Sequence, residues 1–146
     1  MQTHNFLFLF LLVVSFSFSQ TEVPSFFADN MVLQQEESVS VRGKDTPGIS
    51  IKIETSWGGT AGTKTEKNGT WKVDLKTPRA SFETQTLTIE GSSTIHLKNI
   101  LIGEVWFCSG QSNMEMPVKG FDKSPVNRSD TFLATSDNPN IRLFNA

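Results

Sequence analysis

Cysteine is nearly absent from this sequence: Cys108 is the only one in 146 residues. No internal disulfide can brace the fold, so its core must hold it alone. A lone thiol can serve as a nucleophile. Cys108, however, closes the apolar string Val105-Trp106-Phe107-Cys108 and reads as a small buried residue. Histidine is scarce too, with only His4 and His96. No Cys/His or Asp/Glu cluster has the spacing of metal ligands, so neither a metal nor any other cofactor is expected. Positive charge is thin: 13 Lys and Arg against 15 Asp and Glu give a net charge of −2. The cations form no stripe, which removes the electrostatic argument for nucleic acid. Long hydrophobic runs are missing as well. Residues 6–14 are apolar throughout, but a membrane-spanning helix needs about 20 such residues.

What that run does suit is the centre of a secretory signal. Ser17 and Ser19 place small residues at −3 and −1, giving cleavage before Gln20. The segment before it carries no Lys or Arg. Residues 1–19 are therefore expected to be a signal peptide, and the protein to be exported, periplasmic or secreted (secretory or lysosomal in a eukaryotic host). No membrane association is expected after cleavage. Hydrophobic residues make up 37% and charged residues 19% of the chain, enough for a core and unlike a disordered segment. Asn68-Gly69-Thr70 and Asn127-Arg128-Ser129 fit the N-glycosylation pattern, which matters only in a eukaryotic secretory pathway.

From Val39 to Leu97 the pattern is that of strands. Apolar residues alternate at Val39 and Val41, at Ile49, Ile51 and Ile53, at Trp71, Val73 and Leu75, at Leu87 and Ile89, and at Ile95 and Leu97. Period two marks strands with one buried face. Turn signals separate them: Asp45-Thr46-Pro47-Gly48, Gly58-Gly59 and Asn68-Gly69. Asn-Gly suits a type I′ turn, which predicts a hairpin between residues 63–67 and 70–75. Short strands with frequent turns predict a mainly β fold, an antiparallel β-sandwich over residues 20–98.

The pattern then changes. Residues 100–102 and 105–108 are nearly continuous apolar runs, as in a strand buried on both faces of a parallel sheet. A domain boundary is expected near Lys98-Asn99, with residues 99–146 starting an α/β domain. Residues 119–140 read as polar loop with a short helix around residues 129–135, and residues 141–144 as another strand. One strand and the start of a second cannot bury a sheet, so the sequence is expected to be part of a longer protein.

The run at residues 105–108 feeds Ser109-Gly110-Gln111-Ser112-Asn113-Met114. A serine at such a strand-to-turn junction lies where active sites form in open α/β sheets. Gly110 gives the backbone freedom for the turn. Met114 breaks the Gly-x-Ser-x-Gly pattern of the α/β-hydrolase elbow. By spacing alone, Ser112 is either a nucleophile or, with Asn113, a helix cap. Gln111 and Asn113 either orient the site or bond locally in the turn. His96 alternates with Ile95 and Leu97 and should face solvent, not act as a base. Trp71 and Trp106 read as core and Trp57 as the exposed tryptophan. Asp29 is a candidate for contact across the domain junction.

Residues 103–118, Gly-Glu-Val-Trp-Phe-Cys-Ser-Gly-Gln-Ser-Asn-Met-Glu-Met-Pro-Val, resemble the first catalytic block of the sialate O-acetylesterase family of SGNH-type hydrolases. Residues 27–35, residues 68–71 and residues 138–144 resemble other segments of that family in order. The resemblance implies that Ser112 is the nucleophile and that its backbone N–H helps to hold the oxyanion. Gly110, Gln111 and Asn113 would support the site. The implied substrate is an O-acetylated glycan or sialic acid. The family's other oxyanion donors, a Gly and an Asn, and its Asp-x-x-His pair have no counterpart in these 146 residues. The chain alone is therefore expected to have little esterase activity. The alternative is a non-catalytic β-sandwich module that binds carbohydrate or serves as scaffold.

Overall fold

The computed structural model describes residues 20–145; the expected signal peptide lies outside them. Seven strands come first: β1 (Val32–Gln34), β2 (Ser38–Lys44), β3 (Ser50–Thr55), β4 (Thr60–Lys64), β5 (Thr70–Lys76), β6 (Ser81–Glu90) and β7 (Thr94–Gly103). The short elements α1 (Ser112–Glu115), β8 (Gly120–Phe121), β9 (Ser124–Pro125) and α2 (Ser129–Ala134) follow. The fold is mainly β, as the alternation predicts. One curled sheet runs β1-β7-β6-β3-β4, and β2 pairs antiparallel with β5 in a separate ribbon.

The core follows from the period of two. Val41, Trp71, Val73 and Leu75 from the ribbon meet Ile51, Ile53, Leu87, Ile89 and Leu97 from the larger sheet in one buried cluster. In β3 and β5 the side chains between them point to solvent, so these strands are apolar on one face only. Burying a residue of this size stabilises the fold by about 1.5–3 kcal/mol, which is how a chain with a single thiol holds together.

The break in pattern at Lys98-Asn99 coincides with a β-bulge inside β7. Register passes from Leu87↔Leu97 to Gln85↔Ile100, an extra residue on β7. Asn99 absorbs it with φ 54°, in the left-handed region that Asn tolerates. Leu97 and Ile100 thereby both face inward. Residues 100–102 are buried, and they do run beside a parallel partner: β1 pairs with β7 at Val32↔Leu101 and Leu33↔Ile102. The sheet is thus not wholly antiparallel, because β1 returns alongside the last strand.

Four expectations need correction. The turn at Asn68-Gly69 does not join a paired hairpin, since β4 pairs with β3 and β5 with β2. Gly69 N–H donates to Glu66 O, and only Gly69 has a positive φ, of 80°. That is a type I turn with a left-handed glycine, and the chain crosses from one sheet to the other there. Residues 105–108 and 141–144 form no strand. A strand needs a neighbouring strand for its ladder of N–H and C=O groups, and neither segment runs beside one among the described residues. Cys108 is exposed, as are Trp106 (82%) and Phe107 (93%). Trp57 is half-buried against the core, its indole N–H donating to Lys76 O. The helix expected around residues 129–135 is α2.

Candidate active site

The segment that carries Ser112 leaves the β fold at the end of β7 and is anchored where it leaves. Gln34, the last residue of β1, accepts from Val105 N–H at 2.8 Å and donates to Glu104 at 3.1 Å. Gln35 donates to the other oxygen of Glu104 at 2.6 Å and accepts from Ala80 N–H at 2.9 Å. Its own N–H donates to Gly103 O. These two amide donors, Gln35 first and then Gln34, hold the Glu104 carboxyl below the usual carboxylate range.

The chain is anchored again where it returns. The Arg142 guanidinium donates to Met31 O at 3.2 Å, to Asn99 O, and to Asn99 Oδ1 at 3.0 Å. Asn99 Nδ2 in turn donates to Asn30 Oδ1 at 2.6 Å. Asn30 has a left-handed backbone as well, φ 67°. Asp29 accepts from Lys98 N–H at 2.7 Å, so its partner is β7. Both anchors therefore rest on the same short stretch, residues 29–35, and on the bulge in β7. The excursion between them starts and ends at one place on the β fold.

Within the excursion, Gly110 packs its Cα side against Met114. A Cβ there would lie 2.8 Å from Met114 Cγ, so close approach, not a left-handed backbone, is what requires glycine. Gln111 is the residue before the first turn of α1 and makes no side-chain cap bond; its carbonyl accepts from Met114 N–H at 2.8 Å. Ser112 is the first helical residue and is exposed. The helix is therefore not capped by the Ser112 side chain. Its hydroxyl has no partner among the described residues. Asn113 lies within α1. His96 is exposed on β7 with Nδ1 3.1 Å from Thr88 Oγ1, as expected of a surface residue, and does not bond to Ser112. No group of three or more metal-ligating side chains gathers among the described residues.

Sequence reasoning singled out Ser112 as a candidate and did not name the residues that anchor its segment. Gln34, Gln35, Glu104 and Arg142 all lie in the segments that carry the family resemblance, and the spatial meeting of those segments was the available signal.

No family model matches the chain. Sialate O-acetylesterase of Mus musculus is 34% identical over 130 residues, covering 82% of this chain and 23% of that protein. The Homo sapiens sialate O-acetylesterase is 35% identical over 105 residues, covering 64% of this chain and 20% of that protein. Among solved structures, a carbohydrate acetylesterase from Xanthomonas citri superposes with a TM-score of 0.63 at 31% identity, over 68% of this chain and 23% of that one. The chain thus spans 23% of the length of the first of these relatives. On these matches, the chain belongs to the sialate O-acetylesterase family.

Proposed function

We propose that the protein is a serine esterase that hydrolyses acetyl esters on sugars, with Ser112 as nucleophile. The observation that carries this reading is Ser112 itself, exposed at the first position of α1 with no hydroxyl partner among the described residues, in an excursion tied at both ends to the β fold. Names borne by the relatives supply the substrate class, an O-acetylated carbohydrate. In this reading the base takes the Ser112 hydroxyl proton as Ser112 Oγ attacks the acetyl carbonyl carbon, and the π electrons move onto oxygen. The Ser112 N–H, supported by Gly110, Gln111 and Asn113, helps to hold that oxyanion. Collapse expels the sugar oxygen, which takes up a proton from the base. Water then attacks the acetyl-enzyme and releases acetate.

A serine hydroxyl needs a base at neutral pH. The base in this proposal is an Asp-x-x-His pair outside these 146 residues, which contain no such string. The 146-residue chain alone is then nearly inactive. We also read the two sheets as layers of a scaffolding sandwich, with the SGNH-type domain starting where β7 ends. That places the boundary a few residues beyond Lys98-Asn99. Residues 1–19 are read as the export signal, so that the mature chain begins at Gln20.

The test is Ser112→Ala in the full-length protein, followed by acetate release from O-acetylated sialic acid and O-acetylated xylan. A loss of about 10⁴-fold or more, with an unchanged melting temperature, is the expected result. Wild-type turnover by the variant would remove Ser112 from the mechanism.

A further inference from the structure

Gln20 and Thr21 are neighbours in opposite surroundings. Gln20 is exposed, and it makes no hydrogen bond among the described residues. Thr21 is 5% exposed. Its N–H donates to Ser93 Oγ at 3.0 Å, and its hydroxyl oxygen accepts from Ser93 N–H at 3.0 Å. The hydroxyl proton lies between Asp45 Oδ2, 2.7 Å from the oxygen, and Ser93 O, 2.8 Å from it. Asp45 also accepts from Thr46 N–H at 2.6 Å and from Ser92 N–H at 3.0 Å.

One residue further on, Glu22 and Lys44 exchange backbone hydrogen bonds of 2.9 Å in both directions. The packing around Thr21 is close, since a Cβ on Gly91 would lie 2.6 Å from Thr21 Oγ1. Residues 21–22 thus form a strap that joins the end of β2 to the turn between β6 and β7. The strap is held up to Thr21, and Gln20 stands outside it in solvent.

We propose that Gln20 is a modification site: as the first residue of the exported chain it cyclises to pyroglutamate, which seals the strap against exopeptidases. This modification rests on the reading of residues 1–19 as a cleaved signal, because cleavage is what frees the Gln20 α-amine. The unprotonated amine attacks Cδ of the Gln20 side chain. A C–N bond forms, the Cδ–Nε2 bond breaks, and an amine proton leaves with Nε2 as ammonia. Nothing is oxidised or reduced, and no co-reactant is consumed. Amine and amide belong to one residue, so their encounter is intramolecular. An α-amine titrates at about 7.7–8.0, which leaves a reactive fraction unprotonated near neutral pH. The strap's bonds begin at Thr21 and leave both groups free to meet.

The lactam carries neither a free amine nor a terminal charge. Aminopeptidases require a free α-amine, so a cyclised Gln20 stops them one residue short of Thr21. Loss of Thr21 would remove the bonds to Ser93 and take one donor from the Asp45 carboxyl.

The test is the chemical state of the mature terminus. The full-length protein is recovered from an exporting host, and its N-terminal peptide is sequenced by tandem mass spectrometry. The expected peptide starts at residue 20 and is lighter by one ammonia than its free-amine form. A peptide starting at Gln20 with a free amine would overturn the proposal and leave the signal reading standing. A peptide starting at any other residue would overturn both. Gln20→Ala changes an exposed side chain and keeps its amine. A broad-specificity aminopeptidase should remove residue 20 from that variant and nothing from the wild type over the same time; equal trimming of the two would overturn the sealing role. Acetate release plays no part in either readout, so failure of the esterase reading leaves this result standing.

Discussion

Among the described residues, Arg142 is the only one whose side chain ties the far end of the Ser112 excursion to β7, and replacing it with alanine removes that tie. Three hydrogen bonds are lost, to Met31 O, Asn99 O and Asn99 Oδ1. A hydrogen bond to a charged group is worth about 1.5–3 kcal/mol when well buried. Arg142 is only half-buried, and screening lowers that worth. Met31 O keeps its bond from Leu101 N–H at 3.1 Å, and water can reach the exposed Asn99. The net cost should therefore be about 1–2 kcal/mol, a factor of about 5–30 in the population of the detached state. Because the strands do not depend on Arg142, the loss should be local. Amide hydrogen exchange is the suitable assay, since it separates local from global opening. Exchange across residues 105–141 should accelerate by that factor while β3 and β6 stay protected. Arg142→Lys keeps the charge but not the planar fork, and should recover only part of the protection. If the excursion exchanges at the wild-type rate in Arg142→Ala, or if the core strands accelerate equally, the anchor is not what holds it.

Two further outcomes follow from the β fold. Ile89→Ala opens a cavity beside fully buried Ile53 on β3 and half-buried Ile95 on β7 and should cost about 2–5 kcal/mol in urea unfolding; a cost near zero would mean that the cluster is not the core. For Asp45, burial raises the carboxyl, but hydrogen bonds from Ser92, Thr21 and Thr46 outweigh it and hold the group below its ordinary 3.8. A lowered folded value adds stability above the unfolded pKa and loses it as pH falls through the folded one. Wild type should therefore lose melting temperature steeply below about pH 4, and Asp45→Asn should flatten that part of the profile; parallel profiles would show that Asp45 is not the titrating group.

The strands were legible because each carries its own pattern and finds its partner in the same chain. Of the residues named as the inward set, Val41, Ile51, Ile53, Trp71, Val73, Leu75, Leu87, Ile89 and Leu97 are buried, and Val39, Ile49 and Ile95 are half-buried against the same cluster. The bulge was not legible as such. One extra residue in β7 shifts the period by one, and a shift in period looks in sequence like the start of a different kind of strand. What distinguishes the two is a left-handed backbone at Asn99, which the residue type permits but does not announce. Residues 105–108 failed for another reason. An apolar string records a demand for burial without naming the surface that meets it, so Trp106, Phe107 and Cys108 could be read as core although they are exposed.

The same distinction governs the site. Ser112 was singled out as a candidate from a short local string, because a serine on a turn is read from its neighbours alone. Its supports act across the chain. Gln34 and Glu104 are 70 residues apart, and Arg142 and Asn99 are 43 apart. No periodicity links positions at such separations, and each residue alone looks like ordinary surface polarity. They matter because the excursion buries little: α2 has no buried residue, and Val105, Ile141 and Leu143 are exposed. Where apolar burial is scant, directional bonds must set position. A hydrogen bond tolerates far less displacement than an apolar contact, so two polar anchors on residues 29–35 define where Ser112 stands more sharply than the exposed side chains between them could. Under the esterase proposal, activity should accordingly be sensitive to the anchoring side chains of Gln34 and Arg142 and insensitive to exposed Leu143.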